Sequence, residues 1–319
     1  MTDPAAPGID TEALAALLSR QDGVVSRRQL VGLGALPHEI ARMLRRRELV
    51  PVHRGVFVDH TGPLTRAQRE WAAVLLHWPA ALTGRSALPD PDPRAPVHVA
   101  VDISRTPARV DGVVVHRTSG FDARVIWVTS PPRIRIEHAA IDVASTRHRD
   151  PVAMFGTLAD VCQTRRTTAE RIREVLSARA RVPGQALMRD LLEDLSTGAC
   201  SVLEREYLRI ERRHGLPEGR RQKPDTIAGK TARRDVDYEQ FGTVVELNGR
   251  AFHDDATSWD ADALRDLDTL VDSDRPTVRL TFGLVFGAPC QTVAKIGTLL
   301  NRRGWTGAVQ RCPHCPGSS

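Results

Sequence analysis

Apolar residues fall three to four apart over residues 11–19, where Leu14, Leu17 and Leu18 share one face, so the pattern predicts a helix. Gly23-Val24-Val25 breaks that period. Ser26 then has the position of an N-cap for a short second helix over 27–33, closed by Gly34. Pro37 stands where a third helix begins, with Ile40, Met43 and Leu44 as its apolar stripe. Residues 49–58 change to β-branched residues around His53-Arg54-Gly55 and predict a two-stranded wing.

A proline-rich break over 86–96 (SALPDPDPRAP) follows, then two strands over 97–102 and 112–116. From about Glu137 to His214 the period is helical, interrupted at Val182-Pro183-Gly184 and Ser196-Thr197-Gly198. Ser201 and Glu204 have capping-box spacing at the head of the last of these helices. The final third alternates strand (234–238), strand (243–248), helix (259–271) and strand (277–282), which implies a mixed α/β domain.

With 319 residues the chain has room for two or three domains. Aromatics are only 4%, so the core must be built from Ala, Val, Leu and Ile. The N-terminus lacks a basic segment followed by an apolar one, and the longest apolar stretch, near Trp71, is interrupted by His77 and Pro79; neither a secretory signal nor a membrane span is expected. Five scattered cysteines, an odd number, point to a reducing, cytoplasmic setting.

The net charge of +6 matters chiefly through its location. Residues 20–58 hold eight arginines against Asp22, Glu39 and Glu48. Arg42, Arg45, Arg46 and Arg47 belong to the third helix and its end, and His53 and Arg54 to the wing. Arginine binds phosphates and pairs bidentately with guanine, so these six are the candidate nucleic-acid contacts. Residues 205–234 carry a net +6, and residues 235–274 a net −10. Within the acidic stretch, Asp235 and Asp237 share one face of a strand, as do Glu246 and Asn248 on the next. Strand pairing is expected to bring Asp237 and Glu246 side by side, an oxygen-rich arrangement suited to Mg²⁺.

The string GVVSRRQLVGLGALPHEIARMLRRRELVPVHRGVFV, with its glycine-apolar-apolar-serine opening and His53-Arg54-Gly55-Val56-Phe57 wing, resembles the N-terminal winged helix of AbiEi-type antitoxins. That resemblance implies DNA binding, and it brings in a cognate toxin protein as a second partner class. Further on, Ser201 and Glu204, Asp237, Glu246 with Asn248 and Gly249, His253, and Arg265 with Asp266 resemble the Vsr-like branch of the PD-(D/E)XK nucleases. This second resemblance implies a Mg²⁺-dependent endonuclease, with Mn²⁺ as a substitute ion and no organic cofactor. Asp237 and Glu246 would be the metal ligands, Glu204 and Asn248 would complete the site, and His253 would act on the attacking water or the leaving group. Relatives usually have Glu-x-Asp-Gly where this chain has Asn248, the superfamily lysine is absent, and Asp274-Arg275-Pro276 replaces a usual Gly-Trp. A nuclease fold kept only for binding, in an antitoxin-like regulator, is therefore the alternative.

The expected architecture is an α+β or α/β multidomain chain. It comprises a winged helix-turn-helix (8–60), a mixed α/β connector with helical linker (61–196), a PD-(D/E)XK-like domain (197–305) and a flexible tail (306–319). Cys312-Pro313-His314-Cys315 has zinc-type spacing, but no second ligand pair is evident, and it is read as part of that tail. His98, His116 and His138 show no paired spacing and are read as structural. No Walker, GxGxxG or GxSxG motif occurs, and Thr83-Gly84-Arg85-Ser86 is too short for a phosphate loop.

Overall fold

A computed structural model describes residues 8–197, 199–227, 230–248, 275–313 and 315, with backbone only for 222–227 and 230–234. The architecture is mixed α/β, with several helices and, among the described residues, three sheets; it divides into two compact units between Val143 and Ala144. No helix among the described residues is long and apolar enough to cross a membrane.

The first unit opens with α1 (Thr11–Arg20), β1 (Val24–Ser26), α2 (Arg27–Gly32), α3 (Pro37–Arg45), β2 (Val50–His53) and β3 (Val56–Val58). The three strands form an antiparallel sheet in the order β1-β3-β2. Sequence reading treats Val24-Val25 as a break, whereas it is the third strand; three residues are too few for an alternating pattern to stand out. Alternation along the sheet divides its burial between two sides. Val25 and Phe57 join Leu14, Leu30, Ile40 and Leu49 under the helices. Val24, Val56 and Val58 pack against Trp71, Ala72 and Leu75 of α4 (Arg66–Leu76). Ser26 caps α2 as expected: Gln29 N–H donates to its Oγ, and Ser26 N–H donates back to Gln29 Oε1 at 2.9 Å.

The rest of this unit is a five-stranded sheet, ordered β6-β5-β4-β8-β7. Its strands are β4 (Ala81–Leu82), β5 (Val97–Asp102), β6 (Val113–Thr118), β7 (Val125–Ile126) and β8 (Arg133–Ile134), with the short α5 (Phe121–Arg124) before β7. β5 and β6 are parallel neighbours, with His98 opposite Val114 and Ala100 opposite His116. This register makes His98 and His116 diagonal neighbours on one face, where His98 Nδ1 lies 2.9 Å from His116 Nε2 and the rings stack. Sequence spacing, which shows no such pair, cannot register a contact made between strands.

α6 (Ile136–Thr146) spans the boundary between the units. The second unit then runs through α7 (Pro151–Gln163), α8 (Ala169–Ser177), α9 (Gln185–Thr197) and α10 (Ser201–Arg213). After them come β9 (Arg220–Ile227), β10 (Lys230–Tyr238), β11 (Thr243–Asn248), β12 (Thr277–Thr281) and α11 (Pro289–Arg302). The sheet order is β12-β11-β10-β9, antiparallel except for the parallel β11–β12 pair. β9 is absent from the sequence reading because RRQKPDTI has no apolar alternation; it pairs through its backbone with β10. The expected helix over 259–271 lies outside the described residues.

Cys200, not Ser201, is the N-cap of α10. The expected Ser201–Glu204 capping box is replaced by buried Asp194 of α9, which accepts from Val202 N–H at 2.9 Å and from the Ser201 hydroxyl. On its sheet-facing side, α10 docks through Tyr207, whose hydroxyl lies 3.0 Å from that of Tyr238, and Tyr238 donates to Glu211 Oε1 at 2.6 Å. Phe155 of α7 stacks on Phe282, just after β12, with centroids 4.0 Å apart.

Burial lowers the pKa of His98 and His116, and each of them also responds to charge: His98 to the neighbouring imidazole, His116 in the opposite sense to Asp142. Burial likewise lowers that of His77. In the unfolded chain these rings titrate near the usual value of about 6.5. Below that pH the unfolded state takes up protons that the folded state refuses, so their contribution is complete above it and is lost progressively as pH falls toward the lowered folded values. Thermal melts at pH 7.5 and 5.5 should show a lower midpoint at the acidic pH, and a His98→Asn/His116→Gln variant should reduce that difference.

Candidate functional site

Two groups of sequence-predicted residues are brought together by the fold, one in each unit. In the first unit, Arg42 and Arg45 lie three apart on α3 and are exposed, as are Arg46 at its C-cap and Arg47 beyond it. The helix ends in a Schellman arrangement: Glu48 N–H donates to Met43 O at 3.0 Å and Arg47 N–H to Leu44 O at 3.2 Å. Arg47 takes the left-handed position of that motif, φ +57°, where glycine is normally favoured. Across from α3, the β2–β3 hairpin turns through Arg54 and Gly55, with His53 paired to Val56. Gly55 has φ +74°, and its carbonyl accepts from Arg27 N–H at 2.8 Å, which ties the turn to the start of α2. Arg54 is exposed at the tip. His53 is half-buried, and burial lowers its pKa, so at neutral pH it brings hydrogen-bonding capacity without charge.

In the second unit, Asp237 and Glu246 sit on adjacent strands and one face of the sheet. Their relation differs from the expected side-by-side pairing. The register sets Asp237 opposite Val244 and ends at Val236↔Val245, so Glu246 is a diagonal neighbour of Asp237. Such positions are about 7–8 Å apart. Where the ladder ends, Asp235 turns its carboxylate onto Leu247 N–H at 2.7 Å. Burial raises the Asp235 pKa against the opposing effects of that hydrogen bond and of Arg279.

Each of the two central carboxylates carries an arginine. Arg275, just before β12, pairs with buried Asp237. Arg279, opposite Glu246 in the parallel β11–β12 ladder, approaches Glu246 Oε2 at 3.1 Å. Asn248, at the end of β11, is half-buried and lies opposite Thr281. Glu204 is half-buried on α10, one turn before Tyr207, which meets the sheet at Tyr238. His253, Gly249, Arg265 and Asp266 lie outside the described residues.

The donor chemistry fits a hard divalent ion: two carboxylates and an amide oxygen, projecting from one face. The electrostatics are mixed, because the guanidinium groups of Arg275 and Arg279 offset the two carboxylate charges and compete for the same oxygens. A bound Mg²⁺ would polarise a phosphate and acidify a water there.

A third group of residues lies outside the sequence expectations. His214, Cys290, Cys312 and Cys315 place their ligand atoms within 4.8 Å of one another. The described residues of the segment expected to be a flexible tail pack instead against α10 and α11. Gln310 N–H donates to His214 O at 2.8 Å, Asn301 Nδ2 donates to Gly307 O at 2.9 Å, and Cys312 is buried. Gly297 of α11 permits the approach, since a Cβ there would lie 2.2 Å from Val309. The only sequence trace is the Cys-x-x-Cys spacing; its partners stand 22 residues from Cys312 and 101 from Cys315, beyond any local motif.

Arg47 is costly to the fold in a way that bears on its role. Arg47→Gly should raise stability by about 0.5–1 kcal/mol, from relief of the left-handed backbone. If the side chain serves ligand binding, the same change should weaken association with duplex DNA at low salt. Denaturant titration and fluorescence anisotropy on one preparation check both signs.

No protein-family model matches the chain, and no curated protein is significantly similar to it.

Proposed function

We propose that this is a DNA-binding protein, in which residues 8–60 act as a winged helix and residues 197–305 as a PD-(D/E)XK-type domain directed at the DNA backbone. The observation that carries the proposal is the exposed arginine set on a rigid frame: Arg42, Arg45, Arg46 and Arg47 at the end of α3, with Arg54 at the hairpin tip. A short helix with arginines on its open face can enter a major groove, while the hairpin reaches the neighbouring backbone. Phosphate contacts of this kind supply affinity that falls steeply with salt.

For the second domain the reading is phosphodiester hydrolysis supported by Mg²⁺, with Asp237, Glu246 and Asn248 as the residues that would hold the ion. Arg279 and Arg275 then have a second use, since guanidinium groups at that face can pair with phosphate oxygens. A non-enzymatic, antitoxin-like regulator is the second reading. The two ion pairs at Asp237 and Glu246 favour it, because they offset the charge that a metal ion needs.

Arg42→Ala/Arg45→Ala should lower affinity for duplex DNA at least tenfold at low salt, and reduce the slope of log affinity against log salt by about one for each phosphate no longer neutralised. An unchanged slope would remove α3 from the interface. Asp237→Ala/Glu246→Ala should abolish Mg²⁺-dependent cleavage of single-stranded, nicked or mismatched DNA while leaving duplex binding intact. Binding without cleavage in the wild type, across Mg²⁺ and Mn²⁺, would select the regulator.

A further inference from the structure

We propose that His214, Cys290, Cys312 and Cys315 form a structural Zn²⁺ site that fastens the C-terminal segment to α10 and α11. This inference is independent of the reading of Asp237 and Glu246, because the four residues lie elsewhere in the fold. His214 is the C-cap of α10, Cys290 is in the first turn of α11, and the other two cysteines follow that helix.

The spacings are those of a four-coordinate ion. Zn–S bonds of about 2.3 Å and Zn–N bonds of about 2.0–2.1 Å at tetrahedral angles place sulfurs about 3.8 Å apart, and sulfur from nitrogen about 3.6 Å. The sulfurs of Cys290 and Cys312 are 3.6 Å apart, those of Cys312 and Cys315 are 3.9 Å apart, and Cys315 Sγ is 3.8 Å from His214 Nε2. These distances are far above the roughly 2.05 Å of a disulfide. They also leave room for a single ion rather than a multinuclear cluster. Three sulfurs and an imidazole select a soft or borderline metal over Mg²⁺, and a closed set of four protein ligands is the structural form of zinc coordination.

The surroundings prepare each ligand. His214 Nδ1–H donates to Ile210 O at 2.8 Å, which fixes the tautomer and leaves the Nε2 lone pair toward the thiols. Cys312 N–H donates to Cys315 Sγ at 3.3 Å, and Cys315 N–H to Cys312 O at 3.0 Å, forming a tight turn that presents both sulfurs together. Pro289 and Cys290 occupy the start of α11, where the helix dipole favours a thiolate. Metal binding to the three thiols would displace their protons.

The experiment uses the full chain, expressed in medium of defined metal content and analysed by elemental mass spectrometry, with Co²⁺ as a spectroscopic substitute. Purified protein should carry about one zinc per chain. The Co²⁺ form should show the intense visible bands of a tetrahedral ion and thiolate-to-metal charge transfer for three sulfurs. Cys312→Ser should lose the metal, whereas Cys162→Ser and Cys200→Ser should keep it. His214→Cys, which keeps four ligands, should retain the ion and shift the Co²⁺ spectrum toward four thiolates; it also serves if Cys312→Ser does not fold. A folded wild type with under about a tenth of an equivalent of zinc and no tetrahedral Co²⁺ bands would overturn the proposal. Full zinc retention in folded Cys312→Ser, or a disulfide among the three cysteines of the purified protein, would do the same.

Discussion

The C-terminal unit is organised around one buried carboxylate, Glu211. Leaving an ionised carboxylate in the interior costs several kcal/mol unless its oxygens are filled. Here they are filled from three directions: by the Tyr238 hydroxyl, by Gly219 N–H and by Arg221, whose guanidinium also lies over the Tyr207 ring. These partners come from β10, from the connection after α10 and from β9. The carboxylate can therefore be satisfied only when the helix, the connection and both strands are in place. Taking away one partner of such a buried pair typically costs about 3–5 kcal/mol, so the network makes the docking of α10 close to all-or-none.

That docking separates the chemistry of the sheet. Tyr238 and Val236 face α10, and Asp237 is directed to the other side. The helix therefore supports the strands that carry the acidic residues from the face of Tyr238 and Val236. The parallel β11–β12 pair then supplies arginines from its own register. Arg279 is fixed opposite Glu246 by the ladder, and Arg275 arrives at Asp237 from the segment just before it. Among the described residues, the positions of Asp237, Glu246 and Arg279 follow from backbone pairing.

What could be read from the sequence follows from the range of the signal. β11 has the boundaries its apolar alternation predicts, and the α2 cap at Ser26 is the local Ser-x-x-Gln motif made visible. The helical character of 137–214 was legible for the same reason, with two of the four breaks between α6 and α10, those after α8 and α9. Three features were not. β1 is too short to show a period, and β9 is polar throughout and owes its place to backbone pairing. The capping of α10 by Asp194 passes between helices and leaves a misleading local alternative at Ser201 and Glu204. The same limit applies to the candidate sites. Residue types and strand faces were readable at Asp237 and Glu246, but their diagonal offset and their arginine partners depend on pairing register. The His214–Cys290–Cys312–Cys315 group joins three separate segments, and only Cys312 and Cys315 stand close enough in sequence to form a local motif.

α10 carries two obligations on one rod. Tyr207 and Glu211 must meet the sheet, and His214, three residues beyond Glu211, must meet the cysteines. Each residue of a helix advances the azimuth by about 100°. Inserting or deleting a single residue between Tyr207 and His214 would therefore turn one obligation away from its partner while the other was kept. The helix is phase-locked over this stretch, so variation in chain length is confined to the connections outside it, and the spacing from the tyrosine to the histidine behaves as a fixed dimension of the fold.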